Sequence, residues 1–288
     1  MDVGIGLPAT IPGVDRGSLL DWSRQAEGRG FSSLGAIDRL VFPNYEPLIS
    51  LAAAAAATEK IRLLTDILIV PYRINAPLLA KQAATLDSLS EGRLSLGVGI
   101  GSRPDDYEAS RIPLGDRGRR MDAMLEEMKA CWSGAERGYD GPVGPPPVRA
   151  GGPELLVGGR AEASFRRAAR FGDGWTQGGG SPEMVAEGRR RTREEWERAG
   201  REGEPRIVAL CYFALGAGAR EAVDGFLRRY YEIRGEEVVS AITGNAVVDA
   251  ATARSYRDGF AEAGADELIY FPCSTDPGQV DLLAEAVL

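Results

Sequence analysis

The chain has 288 residues, 44% of them hydrophobic, with 34 Lys and Arg against 42 Asp and Glu for a formal charge of −8, and it contains no histidine. That size and apolar content suit one soluble domain over residues 1–288, and no apolar run approaches the ~18 residues needed to span a bilayer. Basic residues are interspersed with acidic ones, even in the arginine-rich stretch 189–201, which argues against a nucleic-acid partner, while the missing histidine excludes a Ser-His-Asp hydrolase and a histidine-bound zinc site.

Residues 3–7 read as a strand, 18–29 as a helix, 31–37 as a strand and 46–58 as a helix. Two short apolar runs follow, 61–70 and 93–99, of the kind found in parallel strands covered by helices. Between them 77–89 places Leu78, Leu79, Ala83, Leu86 and Leu89 on one helical face, with Pro77 suited to a first turn. Residues 117–132 form a strongly periodic helix, and a Pro/Gly-rich connector covers about 133–152, acting as a small lid or as a spacer. Strands are then predicted at 155–157, 174–176 and 207–213, each followed by a helical pattern at 161–171, 182–199 and 220–233, and a last pair of helices flanks a strand at 267–271.

Eight strands with their helices match the size of a (β/α)8 TIM barrel, typically ~250 residues. A doubly wound open sheet is the alternative, but no G-x-G-x-x-G follows the first strand. Cys131, Cys211 and Cys273 are widely separated, with neither zinc spacing nor a disulfide framework, and read as buried thiols. The N-terminus lacks a basic stretch leading into an apolar core, so a cytoplasmic location is expected.

Two features suggest a ligand site. Val157-Gly-Gly-Arg-Ala161 is a strand end, two glycines and a helix start, where free backbone N–H groups, the helix dipole and Arg160 would hold a phosphate. An ordinary tight turn fits the same residues. Gly99, Gly101 and Ser102, at the exit of another strand, would likewise let backbone approach a ligand, although paired glycines also serve close packing.

The order and spacing of several motifs resemble the bacterial luciferase-like oxidoreductases, which use reduced flavin mononucleotide (FMN) or the deazaflavin coenzyme F420. The resemblance is carried by Gly4-Ile-Gly-Leu-Pro8, Ala26-Glu-Gly-Arg-Gly-Phe31, Ile37-Asp-Arg39, Ala56-Ala-Thr-Glu-Lys-Ile-Arg-Leu63 and Leu79-Ala-Lys-Gln82. It continues through Thr85-Leu-Asp-Ser-Leu-Ser-Glu-Gly-Arg93, Gly97-Val-Gly-Ile-Gly101, Arg117 with Met121-Asp, Leu156-Val-Gly-Gly159 and Phe171-Gly-Asp-Gly-Trp175. It implies a luciferase-like barrel with the cofactor at the C-terminal mouth. Asp38 and Arg39 would then lie near the ring or the substrate, and Thr65, Asp66 and Ile67 would match the place where relatives carry a non-prolyl cis peptide, expected here between Asp66 and Ile67. Gly158, Gly159, Arg160 and Ala161 would hold the cofactor phosphate, and Trp175 would wall the pocket or serve as a core aromatic.

The chain departs from the family's pattern in two places. Many deazaflavin-dependent relatives have Asp-His where this chain has Asp38-Arg39; an arginine cannot shuttle protons, but it can stabilise an anionic reduced flavin, bind a substrate carboxylate, or simply sit salt-bridged at the mouth. Sugar-phosphate dehydrogenases of the family place a glutamate where this chain has Ser102, followed by Asp105 and Asp106, which argues against the histidine/glutamate route of alcohol oxidation. Tyr45, Tyr72 and Tyr107, on predicted loops near the mouth, are candidates for proton delivery or else packing residues. Asp38, Arg39, Tyr72 and Asp105 are therefore the catalytic candidates.

The resulting expectation is hydride transfer from reduced F420 to a small organic substrate, favoured over FMN because the Asp/Arg pair and alanine- and arginine-rich style resemble actinobacterial members. The alternatives are an oxygen-dependent monooxygenase using reduced FMN supplied by a separate reductase, a non-catalytic flavin-binding protein, and a flavin-free barrel acting on phosphorylated metabolites. No metal or membrane is expected. A homodimer is implied by the resemblance, with the alanine-rich surface 51–57 as a candidate interface.

Overall fold

The computed structural model describes residues 1–288, and eight parallel strands close into a barrel in sequence order. They are β1 (Asp2–Gly6), β2 (Ser33–Ala36), β3 (Arg62–Ile69), β4 (Leu94–Gly99), β5 (Glu154–Gly158), β6 (Gly174–Gln177), β7 (Arg206–Phe213) and β8 (Glu267–Pro272). The ring closes where Asp2 to Ile5 of β1 pair with Glu267 to Tyr270 of β8. The helices are α1 (Arg16–Arg29), α2 (Pro47–Ala55), α3 (Ala76–Leu89), α4 (Pro104–Ala109), α5 (Arg117–Trp132), α6 (Glu162–Phe171), α7 (Pro182–Arg198), α8 (Ala219–Tyr231), α9 (Glu236–Gly244), α10 (Ala250–Glu262) and α11 (Gly278–Val287). None is long and apolar enough to cross a membrane.

Helix starts follow local chemistry. The side chains of Asp15, Glu46, Asn75 and Asp249 accept from backbone N–H groups three residues on, satisfying donors that the first turn leaves free. Two helices have no counterpart among the predicted elements. Six-residue α4 is too short to display a helical period, and α9 carries Val238, Val239, Ile242 and Thr243, β-branched residues that weaken the helical signal.

Alternation along each strand sorts side chains into two cores. Leu63, Leu155, Ile207 and Leu268 pack outward under the helices, whereas Leu64, Leu156, Val208, Leu210, Ile269 and Phe271 fill the barrel. Phe271 needs space opposite it: a Cβ on Gly6 would come 2.4 Å from its ring and one on Gly35 would come 2.6 Å away. At the N-terminal end of the barrel, Arg206 bridges Glu154 and Glu267, and Glu267 also accepts from Ser32 and Ser33. This half-buried charged plug leaves the C-terminal end as the place for a site.

The connector between α5 and β5 does not lie over that mouth. Val148 donates to Asp87 (2.8 Å), Lys81 to the Gly144 carbonyl (2.7 Å), and Arg149 pairs with Asp173 just before β6 (2.6 Å). A helix-to-strand link runs at the end of the barrel opposite the mouth, so the connector is a spacer and not a lid. In the stretch 51–57, α2 ends at Ala55 and Leu51, Ala54 and Ala55 are buried in the main core, which leaves Ala53 and Ala56 as its exposed residues.

Candidate active site

The floor of the mouth is built by an irregularity in β3. Its register with β4 shifts between Thr65 and Leu68, and the Asp66–Ile67 peptide is cis, as the sequence led us to expect. Asp66 reaches across the barrel to accept from Thr176 on β6 (2.8 Å), and Ile67 lies against the ends of β4 and β5. Glycine is required on both sides of Ile67, since a Cβ on Gly99 would fall 2.0 Å from its Cδ1 and one on Gly158 2.8 Å from its Cγ2. An isoleucine side chain flanked by open backbone makes an apolar platform. Beneath it, burial pushes the Asp66 carboxyl from 3.8 up to about 7; the Thr176 hydrogen bond opposes the shift and the charge of Glu267 adds to it. Asp66 Oδ2 is buried with no hydrogen-bond partner.

Beside this floor, Gly159 has φ +128°, and a Cβ there would meet Ser164 Oγ at 2.4 Å, so a side chain is disfavoured twice over. α6 begins immediately afterwards with Ala161 at its N-cap and no side-chain cap, leaving first-turn N–H groups for an anion. Glu162 in that turn is ion-paired with Arg166 and Arg191. Arg160 donates to Gly179 O (3.1 Å); partial desolvation, then the neighbouring charge of Arg234, lowers its pKa. Arg234 in turn donates to Ser102 Oγ (2.6 Å), next to Gly101 at φ +62°. Two arginines close enough for the charge of one to lower the pKa of the other favour an anion at this corner.

A second group of side chains meets at the exits of β2 and β4. Arg39 pairs with Asp105 (2.8 Å) and donates through Nη1 to the Tyr230 carbonyl (3.1 Å). Arg103 donates to the same carbonyl (2.6 Å) and stacks over the rings of Tyr230 and Tyr231. With Phe42, Arg229, Glu232 and Ile233 these residues border a cleft of about 410 Å³, within the size range of small-molecule sites. Tyr231 OH lies 2.6 Å from Tyr212 OH, which ties the end of α8 to β7.

The expected site residues therefore divide. Asp66, Ile67, Gly99 and Gly158 form the floor; Gly101, Ser102, Gly159, Arg160 and Ala161 line the anion corner; Arg39 and Asp105 share the cleft. Asp38 is buried below, accepting from Ile69 N (2.8 Å) and Arg73 (2.9 Å), so its carboxylate fastens the β2 exit to β3. Thr65 Oγ1 donates to Gly97 O (2.7 Å), which ties β3 to β4 in the barrel wall. Tyr72 and Tyr107 do lie in the connections that follow β3 and β4 at the mouth end, but in a 3-10 turn and in α4, where they are buried and packed edge to face with centroids 6.1 Å apart. Burial, then the Asp38 carboxylate, raises the Tyr72 pKa and keeps its hydroxyl protonated. Tyr45 is spent on a hydrogen bond to Val14 O (2.7 Å).

Trp175 does not wall the pocket. Thr176 takes the inward position on β6, so Trp175 points outward against Gly188 of α7 and Phe165 of α6. Its Nε1 donates to Gly159 O (2.7 Å) and so holds the glycine turn from behind. Sequence reasoning missed Arg103, Thr176, Tyr230, Tyr231 and Arg234. The only local signal was the adjacent Tyr230-Tyr231 pair followed by Arg234, on a helix that reads as ordinary surface.

With this geometry in view, the sequence profile of the luciferase-like monooxygenases matches residues 1–273. The chain belongs to the luciferase-like monooxygenase family. Its members are flavin- or F420-dependent oxidoreductases and monooxygenases. An uncharacterized protein of Mycobacterium tuberculosis is 38% identical over 175 residues, 57% of this chain and 61% of that protein, so the match spans under two thirds of the relative's length. An F420-dependent glucose-6-phosphate dehydrogenase of Nocardia farcinica is 29% identical over 195 residues, covering 60% of this chain and 56% of that enzyme. An FMNH2-dependent dimethylsulfone monooxygenase of Pseudomonas putida is 28% identical over 144 residues, covering 46% and 39%. Among solved structures, the monooxygenase RslO1 from Streptomyces bottropensis superposes with a TM-score of 0.80 at 24% identity, over 99% of this chain and 98% of that one, which supports the luciferase-like barrel.

Proposed function

We propose that this luciferase-like protein is an oxidoreductase that binds reduced coenzyme F420 at the barrel mouth and transfers a hydride to a small organic substrate. The observation that carries the reading is the floor and corner taken together: Ile67 lies between Gly99 and Gly158, and the uncapped start of α6 with Arg160 and Arg234 lies beside it. The platform suits one face of a flat ring system, and the corner suits the phosphate of its tail. The F420-dependent relative from Nocardia supports the choice of cofactor.

When bound, the cofactor would supply the hydride. The chain's own residues have other roles. Ile67 would support the ring and exclude water from its underside. Arg160, Arg234 and the N–H groups of the α6 first turn would neutralise the phosphate. Asp66, with a pKa of about 7, would hold a proton at its carboxyl near neutral pH and keep the floor uncharged. Arg39 and Asp105 would orient the substrate at the edge of the mouth.

The FMNH2-dependent relative supports a second reading, an oxygen-dependent monooxygenase served by a separate reductase. Both cofactors carry a phosphate, so the corner serves either. Parallel titrations with F420 and with FMN, followed by cofactor fluorescence, separate the two readings. Tighter binding of F420 is expected; tighter FMN binding favours the monooxygenase, and binding of neither refutes both. The proposal includes a homodimer, which sedimentation of the purified chain would test.

A further inference from the structure

Two buried guanidinium groups share a single backbone acceptor at the edge of the mouth. The Arg39 side chain is 7% exposed and Arg103 as a residue 8% exposed, yet both donate to one acceptor, the Tyr230 carbonyl. Asp105 pairs with Arg39, whereas Arg103 has no carboxylate partner, and Glu232 stands exposed at the rim. Four polar atoms of this cluster are buried without a hydrogen-bond partner, the donors Arg39 Nε and Arg103 Nη1 and the acceptors Asp105 Oδ1 and Asp106 Oδ2. Buried charge is ordinarily paired and buried N–H groups ordinarily satisfied, so Arg103, with no carboxylate partner and a free Nη1, is arranged for an anion.

We propose that this cleft is the carboxylate pocket for an acidic organic substrate, with Arg103 and Arg39 as its clamp. A guanidinium offers parallel N–H donors that match the two oxygens of a carboxylate. Phe42 and Tyr230, edge to face at 5.1 Å, add an aromatic wall, which fits an acid with a flat unsaturated or aromatic body. Arg103 is the new element: it follows the glycine-rich exit of β4, and the cation stack on Tyr230 (4.8 Å) fixes its head. The assignment rests on the proposed reading only in that the cleft opens on the mouth where reduced cofactor would react.

Calorimetric titration of the full chain with cinnamate and with cinnamamide, two probes of one shape that differ in charge, tests the pocket. Cinnamate is expected to bind at least about tenfold more tightly than the amide. Arg103→Gln should abolish that preference, and Arg103→Lys, which keeps the charge and loses the fork, should retain part of it; the lysine variant decides the matter if the glutamine one does not fold. Equal affinity for the two probes, or an unchanged preference in Arg103→Gln, overturns the proposal. The anionic tail of a bound cofactor is the other source of such a group, so the titration is repeated with saturating F420. Retained cinnamate binding supports a substrate pocket, whereas displacement gives the arginines to the cofactor tail and overturns the assignment. If no cofactor binds but the acid preference holds, the oxidoreductase reading falls and the carboxylate pocket stands.

Discussion

Asp66→Asn is expected to stabilise the ligand-free protein increasingly as pH rises from 5 to 8.5. In the folded chain the carboxyl titrates at about 7 against 3.8 for an ordinary aspartate, because burial disfavours the ion. The native state thus binds this proton more tightly than the unfolded state does. Its contribution is full below pH 3.8, declines as pH rises, and is lost above about 7. At about 1.36 kcal/mol per unit, the whole gap amounts to about 4 kcal/mol, of which about 3 kcal/mol develops between pH 5 and pH 8.5. Asparagine keeps an oxygen to accept from Thr176 and never ionises. Urea denaturation of both proteins across this range gives the difference directly, and titrating groups not coupled to Asp66 cancel in it. Parallel profiles, with a difference constant to within ~0.5 kcal/mol, would refute the argument that Asp66 carries a burial-raised pKa.

Gly159→Leu should lower cofactor affinity at least about tenfold in the fluorescence titration, because its Cβ meets Ser164 Oγ and its φ is left-handed; unchanged affinity removes the turn from the site. Arg206→Met strands Glu267, whose side chain is 1% exposed, and should cost about 3–5 kcal/mol in urea denaturation, with part recovered by adding Glu267→Gln. A loss under ~1 kcal/mol would mean that the base of the barrel is hydrated. Trp175→Phe deletes the hydrogen bond to Gly159 O and should cost about 1 kcal/mol together with some cofactor affinity; a stability loss with no change in affinity would show that the turn holds its shape unaided.

All eight strands were legible, because short buried runs bounded by helix starts and glycines are local signals. The glycine turn into α6 was legible for the same reason, since Gly158, Gly159, Arg160 and the start of α6 are consecutive. Side-chain direction was not: Trp175 and Thr176 are neighbours on β6, and composition cannot say which one faces the barrel. Nor was the cleft, where Arg103 and Tyr230 meet by a contact that spans 127 residues of sequence. The lid reading of the connector failed on topology, since every helix-to-strand link of this barrel must emerge at its base.

The ladder that closes the ring has a consequence for how the chain folds. β1 has two partners, β2 nearby and β8 at residues 267–272, which lies almost the whole sequence away. During synthesis one edge of β1 has no partner until β8 emerges, and Gly4 and Gly6 wait for Ile269 and Phe271 to fill the space above them. Such long-range closure is slow and exposes an unpaired strand edge in the interval. Chains interrupted before residue 267 are therefore open sheets with a bare edge, prone to pairing with one another, and full-length yield should depend on what shields β1 while synthesis finishes.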